Sequence, residues 1–257
     1  MPLTPARTLP HYRDSKTATT RPTLIVFARE PTPGETKTRL IPRVGAANAA
    51  ALADAFTRDA LTKAHDLGER VVIAAAAPNG VANSRYFRAL ARQFHAAGVI
   101  EQGTGNLGVR MARVVAPYCA GGAILIGTDT PSLPRKMLAC SLELLRRVPV
   151  VLGPSLDGGY YLVGVRGPLP DIFRGIRWGG GRVLEQTLKR LRRDHIPYRL
   201  APSWYDVDRW SDLMLLIEHL RRDAARRIRA EVPHPDTPPC PATARVLARL
   251  GLLRPDR

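Results

Sequence analysis

The sequence predicts an α/β fold with a mainly parallel central sheet, on three observations. Short apolar runs of strand length alternate with segments of helical periodicity. The runs are continuous rather than alternating, as in strands buried on both faces. Polar clusters rich in Gly and Pro follow directly after several of them. Strand–helix alternation at this spacing implies right-handed βαβ crossovers, and such sheets hold ligands beyond the carboxyl ends of their strands.

Leu24–Ala28 (LIVFA) is the first buried strand, and the segment Arg29–Pro42 follows it. From Ala46 to about His65, apolar residues with many Ala recur at helical spacing. Arg70–Ala76 reads as a strand, Ser84–Ala97 as a helix, and the turn Gln102–Gly108 leads into a helix over Val109–Tyr118. Ala123–Ile126 is a strand ending at Gly127–Thr128–Asp129, then Pro134–Arg147 is helical. Val148–Leu152 is a strand ending at Gly153–Pro154, and Tyr160–Val165 is entered through Asp157–Gly158–Gly159. Helices follow over about Arg182–Asp194 and Ser211–Arg222, then a Pro-rich tail from Glu231 and a short helix near Ala242–Leu250.

With 257 residues the chain can bury a sizeable core. Its apolar runs fall far short of the roughly 18 residues of a membrane span, so no membrane partner is expected. Residues 1–21 lack the apolar core of a secretory signal and read as a disordered leader. The α/β domain is assigned to 22–222, and 223–257 to a Pro/Arg-rich extension. Cys119, Cys140 and Cys240 are too far apart for a zinc knuckle or redox pair, which suits a reducing cytoplasm. The formal charge of +17 is spread along the chain, without a recognised nucleic-acid module. It favours anionic ligands generally, and no nucleic-acid partner is expected.

Five clusters can carry chemistry. In Pro31–Leu40 (PTPGETKTRL), following Arg29, a turn at Gly34 followed by Lys37, Thr38 and Arg39 can present N–H groups and cations to phosphates; the spacing is not that of a Walker loop, and a solvated surface loop is the alternative. Asp129, at the mouth of a buried strand, suits Mg²⁺ or Mn²⁺, or else caps the next helix. Asp157–Gly158–Gly159 before Tyr160 allows close approach to a ligand, a hairpin turn, or both. Asp206 and Asp208, two apart on an extended segment, are expected to point to opposite sides, so that one of the pair binds metal. Gly103–Met111 offers base or ribose contacts through Asn106, Gly108 and Arg110, or is simply a loop and helix start. The six histidines form no ligand spacing.

Six motifs, FAREPTPGETKTRL, QGTGNLGVRM, LIGTDTPSLP, GPSLDGGYYLVG, GIRWGG and YDVD, occur in this order over about Thr23–Leu220. In this the chain resembles the bacterial radical-SAM/selenodomain-associated transferases, a largely uncharacterised family of the GT-A superfamily. It is more distantly similar to phospholactate and phosphoenolpyruvate guanylyltransferases. The resemblance implies a GT-A-like three-layer sandwich. It implies phosphate contacts at Lys37 and Arg39, metal at Asp129 with Asp206 or Asp208, and an acceptor wall at Asp157–Gly159. Asn106 departs from the usual Asp, Gly180–Gly181 from a Thr/Ser pair, and Arg209–Trp210 from Thr-Pro.

Three functions fit this pattern. The first is Mg²⁺-dependent nucleotidyl transfer from a nucleoside triphosphate to a small anionic acceptor, with Lys37 and Asp129 as catalytic groups. The second is glycosyl transfer from a nucleotide sugar, with Asp157 deprotonating the acceptor. The third is a non-catalytic nucleotide sensor.

Overall fold

The computed structural model describes residues 21–229 and 240–253, with side chains for 21–224 and 240–253. Residues 1–20 of the proposed leader and most of the Pro-rich tail lie outside the described residues. Strands β1 (Thr23–Arg29), β2 (Arg70–Ala76), β3 (Gly98–Glu101), β4 (Ala123–Gly127), β5 (Val150–Pro154), β6 (Tyr160–Val165) and β7 (Tyr198–Leu200) form one sheet in the order β3-β2-β1-β4-β6-β5-β7. All pairings are parallel except those of β6 with β4 and with β5. That exception has a local cause. The Asp157–Gly158 turn folds β5 and β6 into a hairpin, and β6 inserts between β5 and β4, so it must run against both.

The helices are α1 (Ile41–Val44), α2 (Ala46–His65), α3 (Arg85–Gln93), α4 (Leu107–Val115), α5 (Arg135–Leu145), α6 (Val183–Arg193), α7 (Trp210–Arg229) and α8 (Pro241–Arg249). Alternation along β1 divides the core. Leu24, Val26 and Ala28 pack with Ala60 and Leu61 of α2, Phe87 of α3 and Leu138 of α5. Ile25 points the other way, to Met111 and Val114 of α4 and Leu191 of α6. Helices therefore cover both faces, as the three-layer expectation requires. A third cluster lies outside the sandwich, where Leu52 and Phe56 of α2 meet Leu213 and Leu216 of α7 and Leu247 of α8.

Four local features depart from the sequence reading. The helix expected through Ala97 stops at Gln93, because His95 takes a left-handed φ of 47° and the Ala96 N–H closes back on the Ala91 carbonyl. His195 (φ 53°) ends α6 the same way, with the Ile196 N–H on Leu191. The helix expected from Val109 begins at Leu107. β3 and β7, short edge strands of four and three residues, carry too few apolar residues to register in the pattern.

Candidate active site

Because β6 is reversed, its first residue lies at the same rim as the last residues of β1, β4 and β5. The polar clusters after those strands therefore converge, as expected. They border a cleft of about 790 Å³. Asp129, Asp157, Asp206, Asp208 and Asp212 line it together with Arg39 and Arg209.

Asp129 extends from the end of β4, and its carboxylate meets the Lys37 ammonium at 2.5 Å. Lys37 also donates to the Val207 carbonyl at 2.6 Å and lies 3.9 Å from Asp208. Its ammonium sits 5.3 Å from the centre of the Phe56 ring. Lys37 is held at a left-handed φ of 47°, and its side chain is only 7% exposed. It thus runs beneath the rim as a tie between three chain segments, while Arg39 reaches the cleft lining and pairs with Asp208. The Val207 N–H donates to the Asp129 backbone carbonyl at 2.8 Å, which fixes the second segment of the tie.

Asp206 and Asp208 both face the cleft, which corrects the expectation that they diverge. Residues two apart on an extended chain share a face; the residue between them, Val207, is the one that turns inward, fully buried against α2, α7 and α8. Asp206 accepts a hydrogen bond from Ser155. Its carboxyl is pushed up to about 7, first by burial and then by the neighbouring charges of Asp157 and Asp129, against which the Ser155 bond acts.

The hairpin tip supplies the opposite wall. Asp157 accepts the Gly159 N–H at 2.9 Å, so part of its carboxylate shapes the turn. Gly158 has φ 88°, and a side chain there would collide with the Gly181 carbonyl, so only glycine lets the tip lie against the Trp178–Gly181 loop. The Leu184 N–H on the Gly158 carbonyl, at 2.9 Å, fastens the two loops. Tyr160 and Gly159 line the cleft beside them.

The expected nucleotide contacts fare unevenly. Arg29, Gly34 and Thr38 are exposed but are not among the lining residues of the cleft. Asn106 caps α4, its Oδ1 accepting the Val109 N–H at 3.0 Å. Arg110 lies over the Phe27 ring and donates to Gln102, whose own amide bonds the Ala28 and Ala74 carbonyls. Gly108 gives room to Trp178: a Cβ there would come within 2.6 Å of the indole and 2.7 Å of the Phe173 carbonyl. The residues that sequence reasoning missed are mostly apolar, namely Phe27, Leu107, Met111, Leu156, Trp178 and Leu215. The GIRWGG motif was the one available signal for this wall.

Beneath Asp129, the next turn is held from inside. Lys63, fully buried on α2, donates to the Pro131 carbonyl. Ser132 bonds Tyr205 at 2.8 Å and accepts from Trp204 at 3.1 Å. One turn before Lys63, Asp59 accepts the Ala242 and Thr243 N–H groups at 3.0 and 2.9 Å and the Thr243 hydroxyl at 2.5 Å. A carboxylate of α2 thus caps α8 across space.

A family model described as an uncharacterized protein conserved in bacteria (DUF2064) matches residues 52–180, half of the chain. The chain belongs to that family. It is 29% identical to a solved structure from Desulfovibrio desulfuricans G20, whose protein is provisionally named a nucleotide-diphospho-sugar transferase; the match has a TM-score of 0.74 and covers 90% of this chain and 96% of that one. The fold is therefore the α/β fold of that protein, with its mostly parallel sheet. Fainter likenesses include the inositol-1-phosphate CTP transferase of T. maritima (14% identity, TM-score 0.48, 76% of this chain and 92% of that one). Another is 4-diphosphocytidyl-2C-methyl-D-erythritol synthase of Anaerococcus prevotii DSM 20548 (9%, 0.49, 79% and 98%). Both are too faint to bear on function. No curated protein sequence matches the chain. Among the described residues no helix is long and apolar enough to cross a membrane.

Proposed function

We propose that this protein is a divalent-cation-assisted transferase that takes a nucleotide donor, with nucleotidyl transfer from a triphosphate as the leading reading. One observation carries it: carboxylates from distant parts of the chain, Asp129, Asp206 and Asp208, gather with Arg39 at one cleft. The donor set fits a hard cation, since it is all oxygen. The burial of Asp206 beside Asp129 and Asp157, which raises its carboxyl to about 7, is crowding that a cation would relieve. Among the described residues no three ligating side chains stand close enough to hold an ion alone. Phosphate and water oxygens would complete the shell, as is usual for Mg²⁺. Asp129 and Asp208, with carboxylates 53% and 44% exposed, are the accessible ligands, and Asp206 lies more deeply buried near Asp129.

A bound Mg²⁺ or Mn²⁺ would offset charge on the donor phosphates during displacement. Arg39, at the lining and 60% exposed, is the cation free to leave Asp208 for a phosphate. Lys37 holds Asp129 and Val207 in place rather than facing the cleft. The acceptor lies against the Asp157–Tyr160 wall. A negative charge there meets Asp157 and Asp206.

Glycosyl transfer from a nucleotide sugar is the second reading. The name given to the Desulfovibrio relative points there, with Asp157 at the cleft wall to take the acceptor's hydroxyl proton. The narrower kinship with radical-SAM/selenodomain-associated transferases rests on the sequence motifs. A screen of triphosphates and nucleotide sugars with Mg²⁺ tests the proposal. Pyrophosphate release supports the leading reading and nucleoside diphosphate release the second. Metal-dependent binding without turnover of either donor would leave the nucleotide sensor.

A further inference from the structure

The cleft has two chemically distinct walls. The end of β4 and segment 205–212 supply its carboxylates, whereas Phe27, Leu107, Met111 and Trp178 form an apolar side that the nucleotide reading does not use. Six large hydrophobic side chains are well exposed among the described residues: Leu107, Val109, Leu156, Leu200, Met214 and Leu215. Three of them line the cleft: Leu107 at 40% on this apolar side, and Leu156 at 71% and Leu215 at 50% in the segments that carry Asp157 and Asp212. Exposed apolar groups collected on a concave surface mark a binding site rather than scattered surface residues.

The wall is also built to be there. Trp178 stands beside Phe173 and Tyr160, at ring-centre distances of 6.5 and 6.2 Å, and reaches its place because residue 108 has no side chain. Phe27 is backed by the Arg110 guanidinium 5.3 Å from its ring centre. A nucleobase would need polar partners at its edges. The nearby groups able to serve are partly engaged: Asn106 Oδ1 caps α4 and one Arg110 N–H goes to Gln102, while the buried Arg110 Nε has no partner among the described residues. What remains is apolar surface beside a carboxylate cluster, which disfavours an anion and accommodates a neutral hydroxyl.

We propose that this wall seats the acceptor, and that the acceptor is an uncharged alcohol with an aromatic or branched apolar body, its hydroxyl directed toward Asp157 and Asp206. The proposal rests on the transferase reading for the fate of that hydroxyl. Its oxygen bonds to the transferred group, its proton passes to a carboxylate, and the donor's bond to pyrophosphate or to the nucleoside diphosphate breaks.

Binding can be measured apart from turnover. Saturation-transfer NMR on the full chain with Mg²⁺, using 3-phenylpropan-1-ol, phenyl phosphate and glycerol, is expected to show phenylpropanol bound at least about tenfold more tightly than either. Leu107→Asn and Leu156→Ser, both at exposed positions, are each expected to weaken phenylpropanol several-fold, with the circular dichroism spectrum unchanged. Equal affinity for glycerol, tighter binding of phenyl phosphate, or indifference to both substitutions would overturn the proposal. Should phenylpropanol bind as expected while no donor turns over, the transferase reading fails and the apolar site stands. Transfer to glycerol but not to phenylpropanol would keep the transferase reading and overturn the apolar acceptor site.

Discussion

Two lysine–aspartate associations flank the turn that begins at Asp129, and they are built differently. At the rim, Lys37 meets an Asp129 carboxylate that is 53% exposed. In the interior, Lys63 is 1% exposed and Asp59 fully buried, one holding the Pro131 carbonyl and the other the first N–H groups of α8. Burial raises the Asp59 carboxyl and lowers the Lys63 ammonium, and each charge partly restores the other. The rim pair can exchange partners with a ligand because solvent reaches its carboxylate. The interior group cannot, because every change there leaves a charge or a helix N–H without a partner in low dielectric. The first is suited to chemistry, the second to holding the first in place.

The largest expected effect follows from the interior group. Asp59→Ala should cost about 3–5 kcal/mol in denaturant unfolding, as breaking a buried charge association does; a loss below about 1 kcal/mol would mean that α8 is held by its apolar contacts alone. At the rim the balance should invert. Asp129→Asn is expected to lower transfer roughly 10²–10³-fold, the several kcal/mol of charge stabilisation a metal site supplies, with stability changed by less than about 1 kcal/mol. A large loss of stability with transfer intact would place Asp129 with the interior group. Gly108→Ala should cost about 1–3 kcal/mol through overpacking, visible as a lower midpoint and an altered Trp emission spectrum. An unchanged spectrum would remove Gly108 as the seat of Trp178.

Smaller still, Arg39→Gln breaks an exposed ion pair and should change stability by under about 1 kcal/mol, while donor titrations weaken by about 1.5–3 kcal/mol for one lost charged hydrogen bond. Unaltered donor affinity would leave no cation of the first loop facing phosphate. The last effect is a trend with pH. Between 3.8 and about 7 the folded protein keeps a proton on Asp206 that the unfolded chain has released, so this residue's contribution to stability falls as pH rises through that window. Without divalent cation, Asp206→Asn should flatten that part of the stability curve; a parallel curve would show Asp206 ionised throughout.

Much of this was legible in one dimension. The continuous runs at Leu24–Ala28 and Ala123–Ile126 announced buried parallel strands, and the polar clusters after them announced a rim. Asp129, Asp157, Asp206 and Asp208 were named from position alone, and all four line the cleft. The apolar wall was not legible, because Phe27, Leu107 and Met111 look in sequence like ordinary core positions of a strand and a helix. Nor was the fate of the cations: Lys37 and Arg39 are two residues apart in a polar loop, and nothing local says that one is drawn under the rim.

By itself, then, the sequence determined the layer architecture and the supply of chemical groups, since periodicity and turn chemistry act over a few residues and need no partner. Tertiary structure decided which groups are spent and which are left over. Asn106 and Arg110 go to local caps and pairs, Lys37 to a tie and Gly108 to an indole, while Arg39, the carboxylates and an exposed apolar face remain for a ligand. That division depends on hydrogen bonds and contacts between segments as far as 170 residues apart, and a buried polar group takes whichever partner the packing brings.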